Sequence, residues 1–264
     1  MMIDYFSNYN PVILALFGGI FSAFITSLGS SIVFFFKRVN KYLMTSMLSI
    51  SAGIMFSASF FSLLNQAVLI SSDLKQNFFI TVVLGFLLGS VFVYIGNKCF
   101  CSLKITTKFN LRRCLLLFAS ITLHNIPEGL AIGVAFGNII YGGNILEACI
   151  LTLGIAIQNF PEGAAISLPL RRENVSTGYS FLFGSISSIV EPIFAVIGAL
   201  LVLKINSLLS FILAFAAGAM IFVTVLELIP ESQSTEKKDL MALLFIIGFI
   251  IMMILDVLLG WFYH

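Results

Sequence analysis

The architecture of this chain turns on residues 121–133, ITLHNIPEGLAIG, and on their near-copy at residues 155–167, IAIQNFPEGAAIS. Seven aligned positions are identical: Ile, Asn, Pro, Glu, Gly, Ala and Ile. On a helix, residues three and four apart share a face. Each copy therefore turns an imidazole or amide (His124, Gln158), a second amide (Asn125, Asn159) and a carboxylate (Glu128, Glu162) to one side. Pro127 and Pro161 have no N–H and free the carbonyls of Leu123 and Ile157. The glycine after each glutamate thins the helix and admits a close neighbour. A kinked, half-open helix of this kind is tolerated in a bilayer only against protein or a wet cavity.

The surrounding composition puts the two copies in a membrane. Of 264 residues, 59% are hydrophobic and 10% charged, and mean hydropathy is +1.09. A soluble domain carries about 25% charged residues. So few charges cannot cover a globule of this size, and disorder, collagen and a disulfide scaffold fail on the same counts. A net charge of +2 gives no reason to expect nucleic acid. Cys99, Cys101, Cys114 and Cys149 show no framework spacing and read as reduced. The first ten residues lack a basic signal region and are expected to stay on the mature protein.

Apolar stretches long enough to span a bilayer occur near residues 11–36, 43–70, 78–97, 113–137, 144–170, 175–202, 207–230 and 240–262. The predicted fold class is an all-α membrane protein of eight transmembrane helices, one transporter domain over residues 1–264. Twelve of the 14 basic residues follow spans 1, 3, 5 and 7, and only Lys75 and Lys204 fall on the other side. The positive-inside rule makes the side with twelve cytoplasmic and puts both termini outside. The two motif copies then lie on antiparallel helices. That implies a pseudo-two-fold axis in the membrane plane with a site at the midplane, a transporter signature. A fainter repeat, Ala52-Gly53-Ile54-Met55 against Ala217-Gly218-Ala219-Met220, fits spans 1–3 and 6–8 as inverted copies around spans 4 and 5. Small-residue packing explains those four positions equally well.

Glu128, Glu162 and Glu191 fall near the middle of spans 4, 5 and 6, and no Lys or Arg lies inside any span. A central carboxylate costs about 2.5–3.5 kcal/mol, so three unpaired ones would cost roughly 8–10 kcal/mol. Either they carry protons or a cation binds among them. One imidazole, amide oxygens and two or three carboxylates suit borderline divalent ions such as Zn²⁺, Fe²⁺ or Mn²⁺. Such mixed ligation suits an ion that must leave again. Glu128 and Glu162 allow two adjacent ions to be bridged. Glu191, followed by Pro192, adds a ligand from a third helix. Glu227 and Glu231 are i,i+4 partners at the inner end of span 7 and mark an exit path.

These motifs resemble the ZIP (ZRT/IRT-like) metal transporters, in particular the prokaryotic GufA-like branch. The resemblance includes the Val-Glu-Pro of span 6 and the Glu227–Ser232 stretch of span 7. It implies a binuclear centre, with His124, Glu128, Gln158 and Glu162 on one metal. Asn125, Glu128, Asn159, Glu162 and Glu191 would hold the other. It further implies metal uptake across the cell membrane into the cytoplasm, often as a homodimer, by an elevator-like motion of spans 1, 4, 5 and 6. Zinc is the first expectation, with iron, manganese and cadmium behind it. The metal is cargo and no resident cofactor is expected. The chain departs from the family pattern at Gln158, where many members have His, and at Asn159, where some have Asp. Leu226 also stands where many have His, and the loop after span 3 is basic instead of His-rich, with Cys99 and Cys101 its only soft donors.

Two rival classes fare worse. An intramembrane di-metal enzyme would need more than one intramembrane His, and no H-E-x-x-H occurs. A carrier of anionic organic solutes would need an intramembrane Lys or Arg. No G-x-x-x-x-G-K-[ST] is present to bind a nucleotide.

Overall fold

A computed structural model describes residues 10–36, 40–102 and 109–261, with side chains at 10–36, 40–99, 118–119, 121–205 and 207–256. Lys37, Arg38, Lys104 and Lys108 lie outside the described residues. The side chains of Arg112, Arg113, Cys101 and Cys114 do too.

The described chain is all helical. Seven helices are long and apolar enough to cross a membrane: α1 Pro11–Phe35, α2 Lys41–Asp73, α3 Phe79–Cys99, α5 Ile145–Arg172, α6 Thr177–Lys204, α7 Leu209–Ser232 and α8 Lys238–Asp256. Helix α4, Phe109–Gly137, precedes α5 and is 29 residues long. The protein is a multi-pass membrane protein.

Short polar residues start the helices. Asn10, Asn40 and Asn144 accept from the N–H groups of Val12, Tyr42 and Leu146, and Ser176 accepts from Tyr179. Each satisfies an amide that the first turn leaves open. Between α4 and α5 the chain turns through Gly142, at φ +94, which a side chain would strain.

Burial sorts the helices into a centre and a periphery. In the most apolar part of α5, 78% of residues are buried, against 17% in α8 and 22% in α3. Phe17, Phe35, Phe79 and Leu243 are exposed on the outer face, as lipid-facing side chains should be. Lipid is as apolar as leucine, so close fit and buried hydrogen bonds must hold the bundle. Glycines supply the fit. The Cα of Gly129 lies against the backbone of Glu191 on α6, and that of Gly163 against Thr26 and Ser30 on α1. Gly53 meets Phe245 of α8, and Gly218 meets Phe86 of α3. Ser51 donates to the Gln158 carbonyl at 2.8 Å, and Ser30 to the Gly163 carbonyl at 3.1 Å.

Pro127 and Pro161 do not interrupt their helices. The break at this depth lies instead in α6, at residues 187–189. Its cause is local. Pro192 has no N–H for the Ser188 carbonyl, while the Ser187 and Ser188 hydroxyls donate to the Gly184 and Ser185 carbonyls. Three stretches of π-helix occur among the described residues: Phe79–Val83 at the start of α3, and Ser59–Asn65 in α2 and Thr224–Leu228 in α7, which lie at matching places. The last two each begin with a hydroxyl donating to the carbonyl four residues back, Ser59 to Met55 and Thr224 to Met220.

Candidate metal centre

The two motif copies face each other at the centre of the bundle. His124 Nε2 lies 2.9 Å from Glu162 Oε2, and Gln158 Nε2 donates to Glu128 Oε1 at 2.6 Å. The His124/Gln158 position of each copy thus meets the glutamate of the other, as antiparallel copies should. His124, Glu128 and Glu162 can each offer a ligand atom, and these three atoms lie within 4.8 Å of one another. All three side chains are buried.

The remaining expected ligands sit around this trio. Asn125 donates through Nδ2 to the Ser187 carbonyl at 2.9 Å, and Asn159 through Nδ2 to Ser22 Oγ at 3.1 Å. Glu191 is fully buried in the first turn after the α6 break. Its carboxylate lies within electrostatic reach of Glu128 and Glu162, outside the tight trio.

The buried atoms left without a hydrogen-bond partner form a pattern. They include His124 Nδ1, Asn125 Oδ1, Glu128 Oε2, Gln158 Oε1, Asn159 Oδ1, Glu162 Oε1 and both oxygens of Glu191. Each of the seven residues contributes at least one, and each is a lone-pair atom when His124 donates its Nε2–H to Glu162 and keeps Nδ1 unprotonated. Buried polar atoms are nearly always paired, because an orphan costs about 1–3 kcal/mol. A set of orphaned acceptors on three helices is what a cation requires. The amide nitrogens are turned away onto Glu128, Ser187 and Ser22, which leaves the amide oxygens for the ion.

Over residues 104–256 the chain matches the family model described as ZIP zinc transporter. The chain belongs to the ZIP family. It is 33% identical to zinc transporter ZIP11 of Xenopus tropicalis, over 98% of this chain and all of the relative. The human ZIP11 is 32% identical over 96% of this chain and 99% of its own length. Zinc transporter GufA of Myxococcus xanthus is 37% identical over 58% of each chain. These relatives carry transporter names and no enzyme name.

Glu227 and Glu231 stand apart from the central cluster. They line a cavity of about 110 Å³ together with Lys41, Arg172, Ile121 and Ala165. Ile121 and Ala165 are each one turn from a central residue, His124 and Glu162. Glu227 projects from the π-helical turn of α7 and accepts from Asn97 Nδ2 at 2.7 Å. Leu226 is turned outward and exposed. Cys99 and Cys149 are exposed free thiols away from the cluster.

Three residues of this ZIP-family site escape a reading of the motifs alone. Ser22, the Ser187 carbonyl and Asn97 each hold a predicted residue by its side chain. Ser22 is the lone polar residue between Gly19 and Thr26 on an apolar helix, which was the available signal. The Ser187 carbonyl had none, because it depends on where α6 breaks.

Proposed function

We propose that the chain carries divalent metal ions, zinc foremost, across the cell membrane into the cytoplasm. The observation that carries this reading is the set of buried, unpartnered lone-pair atoms on all seven motif residues. His124, Glu128, Gln158 and Glu162 would hold one ion. Asn125, Glu128, Asn159, Glu162 and Glu191 would hold its neighbour, with Glu128 and Glu162 bridging. The zinc transport named for the relatives supports zinc as cargo. Iron, manganese and cadmium are tested beside it.

The working architecture has eight spans, with α4 as the fourth, in a single domain. Spans 1–3 and 6–8 form inverted copies around the α4–α5 pair. Three features favour that arrangement. Gly129 takes its close neighbour from α6 and Gly163 from α1. Gly53 and Gly218 meet α8 and α3 in the same way. The π-helical turns of α2 and α7 follow the Ala-Gly-x-Met repeat at equal distance, Ser59 four residues after Met55 and Thr224 four after Met220. The termini lie outside, and a homodimer is the assembly that the family resemblance implies.

Ions would enter from outside, lose water and bind at the midplane. They would leave through the cavity that runs from Ile121 and Ala165 to Lys41, Arg172 and Glu231, on the basic face of the chain. Glu227 and Glu231 would replace shed water on the way out. Protons compete with metal for the bridging carboxylates, so protonation favours release.

The test is uptake of Zn²⁺, Mn²⁺, Fe²⁺ and Cd²⁺ into proteoliposomes by the wild type and Glu128→Ala. Zinc uptake by the wild type and its loss in the variant are expected. A wild type that moves none of the four ions refutes the transporter reading. Unchanged uptake by Glu128→Ala keeps a transporter and removes this site.

A further inference from the structure

Asn125 and Asn159 hold the same place in the two motif copies, but different groups hold them. Asn125 donates to a backbone carbonyl, that of Ser187. A carbonyl only accepts, so the Asn125 amide is fixed with Oδ1 free. Asn159 donates to Ser22 Oγ, and a hydroxyl can accept or donate. Where the Ser22 proton goes therefore decides which end of the Asn159 amide faces the ions. Glu191, with two unpartnered oxygens, lies within reach of both Ser22 and Asn159. With Asn159 Nδ2 donating to it, Ser22 Oγ acts as the acceptor, its own hydrogen is free to turn toward the unpartnered Glu191 carboxylate, and the amide oxygen stays free. Ser22 is fully buried, so bulk water does not take over this contact.

We propose that Ser22 is a positioning residue of the metal centre, which holds the Asn159 amide with its oxygen toward the ion and joins α1 to the site. The proposal rests on the reading of Asn159 as a ligand. Without an acceptor at position 22 the amide can turn over, because its terminal torsion is broad and roughly two-fold. An amide nitrogen has no lone pair to give a metal. The loss should appear at the ion held by Asn159 and Glu191 and spare the ion held by His124 and Gln158.

The experiment is a zinc-binding isotherm of the purified full chain in detergent, paired with initial uptake rates in proteoliposomes. Ser22→Ala should weaken one binding step about five- to tenfold, the size of one lost hydrogen bond between neutral groups. It should raise KM more than it lowers the maximal rate. Ser22→Thr and Ser22→Val insert side chains of one shape, so any packing cost cancels between them. Ser22→Thr should bind more tightly than Ser22→Val by a similar factor. In an Asn159→Ala background the Ser22 substitutions should add nothing. Equal binding by Ser22→Thr and Ser22→Val overturns the proposal, as does a Ser22→Ala effect that adds in full to Asn159→Ala. If Asn159→Ala itself leaves zinc binding unchanged, the ligand reading beneath the proposal falls, and the proposal falls with it.

Discussion

Glu128→Gln should move the stability of the protein in opposite directions with and without metal. The ligand atoms of His124, Glu128 and Glu162 lie within 4.8 Å of one another. Two unit charges at that separation repel by about 3.5 kcal/mol at an effective dielectric of about 20. The metal-free protein bears this repulsion between Glu128 and Glu162, or holds a proton to relieve it. The His124 contact to Glu162 offsets part. Glutamine keeps the shape, and its oxygen can still accept from Gln158. The metal-free variant should therefore be as stable as the wild type or more so, by up to about 3 kcal/mol. With zinc the sign reverses. Removing one charge from a buried, paired set costs about 2–5 kcal/mol, which is roughly 30- to several thousand-fold in affinity.

Thermal unfolding in detergent reads both arms, once in chelator and once in zinc. At 100 times its dissociation constant, zinc should add about 2.7 kcal/mol to the wild type. A variant that binds 100-fold more weakly gains only about 0.4 kcal/mol at the same concentration. One result refutes the reasoning: a variant less stable in chelator that keeps the whole zinc-induced gain. That pattern would make Glu128 a protonated structural acid, valued for its bond to Gln158 at 2.6 Å.

Other substitutions test other parts of the site. Gln158→His should tighten zinc binding by supplying an imidazole at the place of His124 in the opposite copy, and weaker binding in the isotherm would show that Gln158 is no ligand. Glu227→Gln should lower the maximal uptake rate and change KM little, because Glu227 lies on the proposed exit cavity and not in the central cluster; an equal rise in KM would place it in metal capture. Gly163→Ala puts a methyl against the Thr26 carbonyl and within 2.8 Å of Ser30 Oγ. It should cost about 1–3 kcal/mol in thermal unfolding and reduce uptake, since α1 must move away and carry Ser22 with it.

The parts legible in the sequence were those encoded by residue type. His124, Glu128 and Glu162 stand out because a charged or imidazole side chain has no place in an apolar run without a purpose. Their helices were placed to within a few residues, since bilayer thickness sets the length. Less legible were features that depend on how one helix lies against another. Pro127 and Pro161 suggested kinked helices, yet the break falls at residues 187–189 of α6. There two serine hydroxyls and Pro192 act together, and no one of them would suffice. The π-helical turns have no residue signature, and with them the projection of Glu227 toward Asn97 stayed hidden.

The difference between the two halves of the site follows from those helix contacts. The α6 backbone reaches Gly129 through Glu191, and the α1 backbone reaches Gly163 through Thr26. These residues therefore occupy corresponding positions on the two flanking helices. One is a carboxylate and the other a hydroxyl that donates back to the Ser22 carbonyl. The corresponding pair His124 and Gln158 differs in the same spirit, an imidazole against an amide. A symmetric site would hold two ions alike. In the proposed two-ion site, an ion near His124 would meet a nitrogen donor, and one near Glu191 would meet only oxygens. Zinc accepts nitrogen and oxygen, whereas harder ions prefer the all-oxygen position. Changes at His124 should therefore weaken zinc more than harder ions, and changes at Glu191 should weaken harder ions at least as much as zinc.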